Sequence, residues 1–300
     1  MFFLVHTIND YQLREDKVMP KGIPKNGFRN TKALSRRSTE MSLPIEELMA
    51  ESDEEINARI GERFEILADL ANATVSGDSR ALIVSGPPGL GKSYTVEKVV
   101  SGLPEFDYEI IKGFVRATGL YRILYEKRRK GQVVVFDDAD SIFFDDAALS
   151  LLKAACDTTE RRVISWRAET NMKLDDGDSL PTSFDFEGSI IFITNMDFDR
   201  IVDNQARFHE HMAAMISRSH YVDLSMKTKR DYLVRIKQVV AEGMLSDRLT
   251  QPQVTQVVDF IEKHINDLRE LSLRMAIKIA STMKSNPTKW ERICRVTCMR

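Results

Sequence analysis

Apolar positions follow two periods along this chain, and the change between them falls near Arg80. Before it, Ile56, Ile60, Phe64, Leu67 and Ala71 recur at helical spacing behind Ser52-Asp-Glu-Glu55. That tetrapeptide is a capping box, in which a hydroxyl and a carboxylate satisfy backbone N–H groups reciprocally, and Gly77 ends the run; a helix is predicted over 53–76. After Arg80, short apolar runs alternate with amphipathic stretches. Ala81–Ser85, Tyr108–Lys112, Val133–Phe136, Ser189–Thr194 and His220–Leu224 read as strands, with a strand-like stretch at Arg162–Arg167. Val133–Phe136 and Ser189–Thr194 are continuously apolar, as strands covered on both faces of a parallel sheet are. Helices are predicted near 92–102, 120–130 and 147–157. From about Ser225 the strand signals stop, and 227–244, 251–268 and 271–284 carry a helical period. The pattern predicts an α/β protein: a doubly wound parallel sheet with an N-terminal helix over 41–224, then a second, all-α subdomain and a basic tail over 225–300.

Composition narrows the class. Of 300 residues, 43% are hydrophobic and 29% charged, enough apolar material for a sizeable core. The longest apolar runs fall far short of the roughly 20 residues that cross a bilayer. Met1–Val5 is apolar but meets charged residues at once, unlike a secretory signal. Three cysteines (Cys156, Cys294, Cys298) cannot make a disulfide framework, so a reduced, intracellular, soluble protein is expected. The net charge of −2 excludes nothing, because it is unevenly spread. Residues 1–40 hold eight Lys/Arg against four Asp/Glu and read as a flexible basic leader. Met41 is a candidate second start, and residues 41–79 carry ten acids against two bases, Arg59 and Arg63.

Gly86-Pro87-Pro88-Gly89-Leu90-Gly91-Lys92-Ser93 fits the phosphate-binding loop G-x-x-x-x-G-K-[ST], with a strand before it and a helix, beginning Lys92-Ser93-Tyr94, after it. Glycine lets such a loop turn its N–H groups onto phosphate oxygens, and the helix N-terminus adds its positive end. Lys92 is then expected on the β/γ-phosphates of ATP and Ser93 on Mg²⁺. Asp137 and Asp138 emerge at the end of the Val133–Phe136 strand; Asp137 suits the metal and Asp138 the attacking water, with Asp140 as a spare.

With both halves in place the sequence resembles the AAA+ ATPase family over roughly residues 45–284. Ser-Ile-Ile-Phe-Ile-Thr-Asn195 resembles its sensor 1 strand, Ala213–Arg218 its arginine-finger segment, and Leu271-Ser-Leu-Arg274 its sensor 2 helix. The resemblance implies that Asn195 shares the water with Asp138, that Arg218 enters a neighbouring subunit's site, and that Arg274 reaches the γ-phosphate. The usual second acid is Glu; here it is Asp138, a side chain shorter by one bond. Leu151–Asp157 and Ile164-Ser-Trp166 resemble small members encoded by phages and mobile elements, for which the host cytoplasm is the expected location.

The resemblance also implies a homo-oligomeric ring, a hexamer being one candidate, that works on a macromolecule without a membrane. A protein is the first expectation, because Gly113-Phe114-Val115 follows the second strand where remodelling members carry a gripping loop. The alternative for Phe114 is core packing. A DNA-associated motor of the helicase or clamp-loader type is the rival, because residues 271–300 hold seven Lys/Arg, one acid (Glu291) and Trp290. A solvated tail is the plainer reading of that segment. A nucleotide-gated scaffold with little hydrolysis is the third class. His209 and His211 lack a third ligand in reach, and Asp175, Asp176 and Asp178 lack the spacing of a calcium loop.

Overall fold

The computed structural model describes residues 51–167 and 179–300. The expectations for residues 1–40, for Met41 and for the Asp175–Asp178 loop lie outside the described residues.

Helix α1 (Asp53–Val75) starts at the expected capping box, with Ser52 accepting from the Glu55 N–H and Glu55 accepting from the Ser52 N–H. The chain continues through β1 (Ala81–Ser85), α2 (Lys92–Val100), β2 (Tyr108–Lys112), α3 (Ala117–Glu126) and β3 (Val133–Asp137). A 3-10 turn at Asp140–Phe144 leads to α4 (Asp146–Ala155) and a small antiparallel pair, β4 (Val163–Ser165) with β5 (Ser183–Asp185). Then come β6 (Ser189–Ile193), α5 (Phe198–Asp203), α6 (His209–Ile216) and β7 (His220–Asp223).

Five strands form one parallel sheet in the order β2-β3-β6-β1-β7. Its central strands β1, β3 and β6 are buried along their whole length, as the continuous apolar runs require. Successive side chains point to opposite faces, and they divide between two cores accordingly. Ile83, Val134, Phe136, Ile190 and Phe192 pack with α3 and α4. Leu82, Val84, Val133, Val135, Ile191 and Ile193 pack with α1 and α2. The fold is a doubly wound α/β sheet, and its switch point lies between β1 and β6, where crossovers leave in opposite directions. Ligands bind outside the carboxyl ends of strands at such a point.

After β7 the chain is helical: α7 (Lys229–Ala241), α8 (Gln251–Lys263), α9 (Leu273–Ser285) and α10 (Trp290–Cys298) share a third core. Three helices and a tail were expected; the tail is instead a fourth helix. Trp290, Cys294 and Cys298 recur every four residues and are buried, so the segment docks while its basic residues stay outside. The third helix also sits earlier than the expected 120–130. Its end is set by tertiary contacts: the Arg128 carbonyl accepts from Glu187 and Gly188, and its guanidinium stacks 3.8 Å from the Tyr125 ring centroid. Among the described residues no helix is long and apolar enough to cross a membrane.

Candidate functional site

The glycine-rich loop of residues 86–91 joins β1 to α2 at the switch point. Gly86, Gly89 and Gly91 have φ of 145°, 76° and 99°, and Gly91 is the left-handed N-cap of α2 with no side chain to cap it. The amides at that end therefore have no side-chain acceptor, which suits an anion. Leu90 is buried beneath the loop, and Lys92 is buried although charged. Its ammonium donates to the Asn195 Oδ1 at 2.8 Å, to the Pro87 carbonyl at 2.9 Å and to the Gly86 carbonyl. Burial pulls its pKa down to about 8, with Asp138 and Asp137 opposing the shift. The loop thus holds a cation against its own carbonyls, where a phosphate would compensate it better.

Asp137 ends β3, and Asp138 begins the following turn with φ 54°. Because the chain leaves the strand there, the two carboxylates part company. Asp137 Oδ1 accepts from the Ser93 hydroxyl at 2.9 Å, while Asp138 Oδ1 accepts from Asn195 Nδ2 at 2.8 Å. Lys92, Asn195 and Asp138 thereby form one hydrogen-bonded series across the loops after β1, β6 and β3. The Ser93–Asp137 pair beside it consists of hard oxygen donors, the kind Mg²⁺ takes. Asp140, the spare, faces elsewhere: it accepts from the Thr194 hydroxyl at 2.6 Å, and burial raises its carboxyl above the usual range.

A cleft of about 1270 Å³ opens over these loops, large enough for a nucleotide. Pro88, Gly89, Gly91, Lys92, Ser93, Tyr94, Asp138 and Asn195 line it from the sheet side. Arg274, near the start of α9, is exposed and lines it from the helical side. Arg218 does not line it. Its guanidinium donates to the Ala214 carbonyl at 2.9 Å and lies 3.8 Å from Asp157. Of the expected residues, Pro88, Gly89, Gly91, Lys92, Ser93, Tyr94, Asp138, Asn195 and Arg274 line one cleft; Asp137 reaches it through Ser93, Gly86, Pro87 and Leu90 belong to the loop without lining it, and Arg218 lies apart. Phe114 is 75% exposed, so its core-packing alternative is wrong. Trp290 is buried 5.1 Å from the Phe260 ring, so it cannot stack on a base.

Three features escaped the sequence. Lys112 pairs in register with Asp137 across β2 and β3, and its ammonium lies 3.3 Å from Asp137 Oδ2 and 2.7 Å from Glu97 Oε1. Those contacts hold its pKa above the usual lysine value, the Glu97 bond being the largest cause. Its place at the C-terminal end of the neighbouring strand was the available signal. Arg235 of α7 is buried on the Phe64 ring at 3.5 Å and donates to the Leu90 carbonyl at 3.3 Å and to Gln238 at 2.7 Å; burial lowers its pKa to about 10. The Leu273 N–H, at the start of α9, donates to the Gly89 carbonyl at 2.8 Å. Nothing local in the sequence marks those last two, since each joins residues more than 140 positions apart.

No protein-family model matches the chain. Solved structures similar to it include Thermotoga maritima RuvB T158V (13% identity, 82% of this chain and 69% of that one, TM-score 0.43). Domain III of the Thermotoga maritima replication initiation protein DnaA matches at 12% identity over 75% of this chain and 84% of that one, with TM-score 0.43. Brucella abortus NtrX matches at 12% identity over 74% and 49%, with TM-score 0.42. At those scores, the reading of the site rests on its own geometry. A much nearer relative is the uncharacterized 36.7 kDa protein of the nrdC-mobD intergenic region of Enterobacteria phage T4. It is 33% identical over 252 residues, covering 82% of this chain and 77% of the relative. The chain belongs to the family of that phage T4 protein.

Proposed function

We propose that this chain is an AAA+-type ATPase that binds Mg·ATP in the cleft, hydrolyses it and uses the cycle to remodel a protein or protein–nucleic-acid assembly. The observation that carries the reading is the series Lys92–Asn195–Asp138 lying beside the Ser93–Asp137 pair at the carboxyl ends of three adjacent strands. In this reading the loop amides and Lys92 hold the β- and γ-phosphates, and Asn195 with Asp138 holds the attacking water in line. Ser93 and Asp137 hold Mg²⁺, which when bound neutralises charge on the phosphates. Lys112 balances Asp137 from the side of β2. Asp138, being short, accepts the water's proton from a backbone that has already turned towards the cleft. Arg274 adds positive charge over the γ-phosphate from the helical side.

Arg218 lies outside its own chain's cleft, which favours a site shared between copies in a ring, with Arg218 supplied by the neighbour. A heterologous contact of that kind closes when its rotation permits. Exposed Phe114 favours a polypeptide as the remodelled substrate, and the phage relative favours the host cytoplasm as the place of action. A mixing experiment tests the shared site. Lys92→Ala should lose ATP affinity, and Arg218→Ala should bind ATP yet lose roughly 10³-fold or more in turnover. Combined, the two inactive chains should regain activity, since one intact half comes from each. Wild-type turnover by Arg218→Ala alone would refute the arrangement.

A further inference from the structure

The basic C-terminal segment is the one sequence motif that the ATPase reading does not absorb, and the structure changes what it can do. Residues 271–300 carry seven Lys/Arg and one acid, leaving the other 270 residues at −8. Folding leaves Arg274 at the cleft and exposes four of the others at the end of α9 and along α10. Helix α10 turns Trp290, Cys294 and Cys298 into the helical core, while Lys289, Arg292 and Arg295 are exposed on its outer face, with Lys284 exposed at the end of α9. Lys289, Arg292 and Arg295 are three apart, so they form one ridge about 9 Å long at the helical rise.

Three further observations bear on the ligand. Lys289, Arg292 and Arg295 line a shallow groove of about 520 Å³. Lys284, Lys289 and Arg292 have no ion pair among the described residues, and the one acid on α10, Glu291, is taken by Arg295 at 3.5 Å. The N-cap of α10 makes no side-chain cap bond, so its first amides add to the positive end.

We propose that this ridge is a sequence-independent binding surface for the phosphodiester backbone of nucleic acid. Phosphates need cations at short intervals, and a row of long, flexible cations along a helix supplies them without fixing a base sequence. With Trp290 buried, no aromatic is offered for stacking, so single and double strands should both bind through their backbones. A bilayer is a poor occupant: the apolar side of α10 faces the core, and Val296 is the only exposed large hydrophobic on that helix. The proposal does not depend on the ATP site.

The test is fluorescence anisotropy of the full chain with labelled single-stranded and duplex DNA over 50–200 mM salt. Three backbone contacts predict a log–log salt slope steeper by about 2.7 on duplex and about 2.1 on single strands than that of Lys289→Glu/Arg292→Glu/Arg295→Glu. On duplex this amounts to a ~40-fold fall in the ridge's contribution across that range. The variant should keep wild-type ATP binding. If charge reversal lowers the melting temperature, Lys289→Gln/Arg292→Gln is measured instead, with a slope change of about 1.8 expected on duplex. An unchanged slope and affinity in the variant would overturn the proposal, moving any DNA binding to residues 1–40 or elsewhere. So would absence of binding by the wild type at 50 mM salt, or equal capture by polyglutamate or by anionic-lipid vesicles.

Discussion

Gly89→Ala tests whether the helical region is seated on the glycine-rich loop between β1 and α2 as the structure has it. Gly89 has φ 76°, and a Cβ built there would lie 2.7 Å from Ser272 Cβ and 3.3 Å from Ser272 Oγ. Holding alanine in a left-handed conformation costs about 1–2 kcal/mol. Carbon atoms pack at about 3.5–4.0 Å, so Ser272 must retreat by roughly 1 Å. The same retreat stretches the 2.8 Å bond from the Leu273 N–H to the Gly89 carbonyl beyond hydrogen-bonding range. Its loss adds about 0.5–1.5 kcal/mol. A total near 2.5 kcal/mol should lower the melting temperature by roughly 5–10 °C. Because the retreat also moves Arg274, ATP affinity should fall with it. Backbone strain and clash are separable. In a Ser272→Gly background, which removes the clashing atoms but also the Ser272 cap on the Met275 N–H, Gly89→Ala should cost only the strain. Thermal melts of the four proteins give the coupling directly. Equal costs of Gly89→Ala in both backgrounds would show that α9 does not rest on the loop.

Two further expectations are quickly checked. The buried Lys92 has a pKa of about 8 in the free site, and a phosphate beside it stabilises the charged form. ATP binding should therefore take up a proton near pH 8–9, and affinity should fall as pH rises through 8, by about tenfold at pH 9 relative to pH 7 if the neutral form does not bind. Calorimetry in buffers of different ionisation enthalpy measures the uptake, and its absence would remove Lys92 from the phosphates. Phe114→Ala should leave the melting temperature within about 1 °C of wild type, since a 75% exposed ring buries little, while abolishing any stimulation of turnover by an unfolded polypeptide; stimulation that survives would exclude the gripping role.

Much of the sheet was legible because burial on both faces forces continuous apolar strands, which Val133–Phe136 and Ser189–Thr194 display openly. The turn joining β1 to α2 was legible because Gly86, Gly89 and Gly91, all with positive φ, stand at fixed spacing before Lys92. What the sequence hid was tertiary. Helix α10 was hidden because two of its three buried positions are cysteines among basic residues, which masks a period of four. The α3 boundary moved because Lys127–Lys130 are good helix formers locally, yet the Arg128 carbonyl is claimed by Glu187 and Gly188. Within the site, Asp137 and Asp138 diverge because the chain turns at Asp138, but Lys112 and Arg235 come from other strands and helices and reach the site only through folding.

In the proposed mechanism the cleft hydrolyses ATP with Asp138 at the water. This is tested most directly by measuring ATP binding and steady-state hydrolysis side by side for the wild type and Asp138→Asn. The substitution keeps the shape and a partner for Asn195 while removing the base. Hydrolysis is expected in the wild type, and in the variant near-wild-type Mg·ATP affinity with turnover reduced roughly 10²-fold or more. Undiminished turnover in Asp138→Asn, or a wild type that binds ATP and never hydrolyses it, would contradict that mechanism.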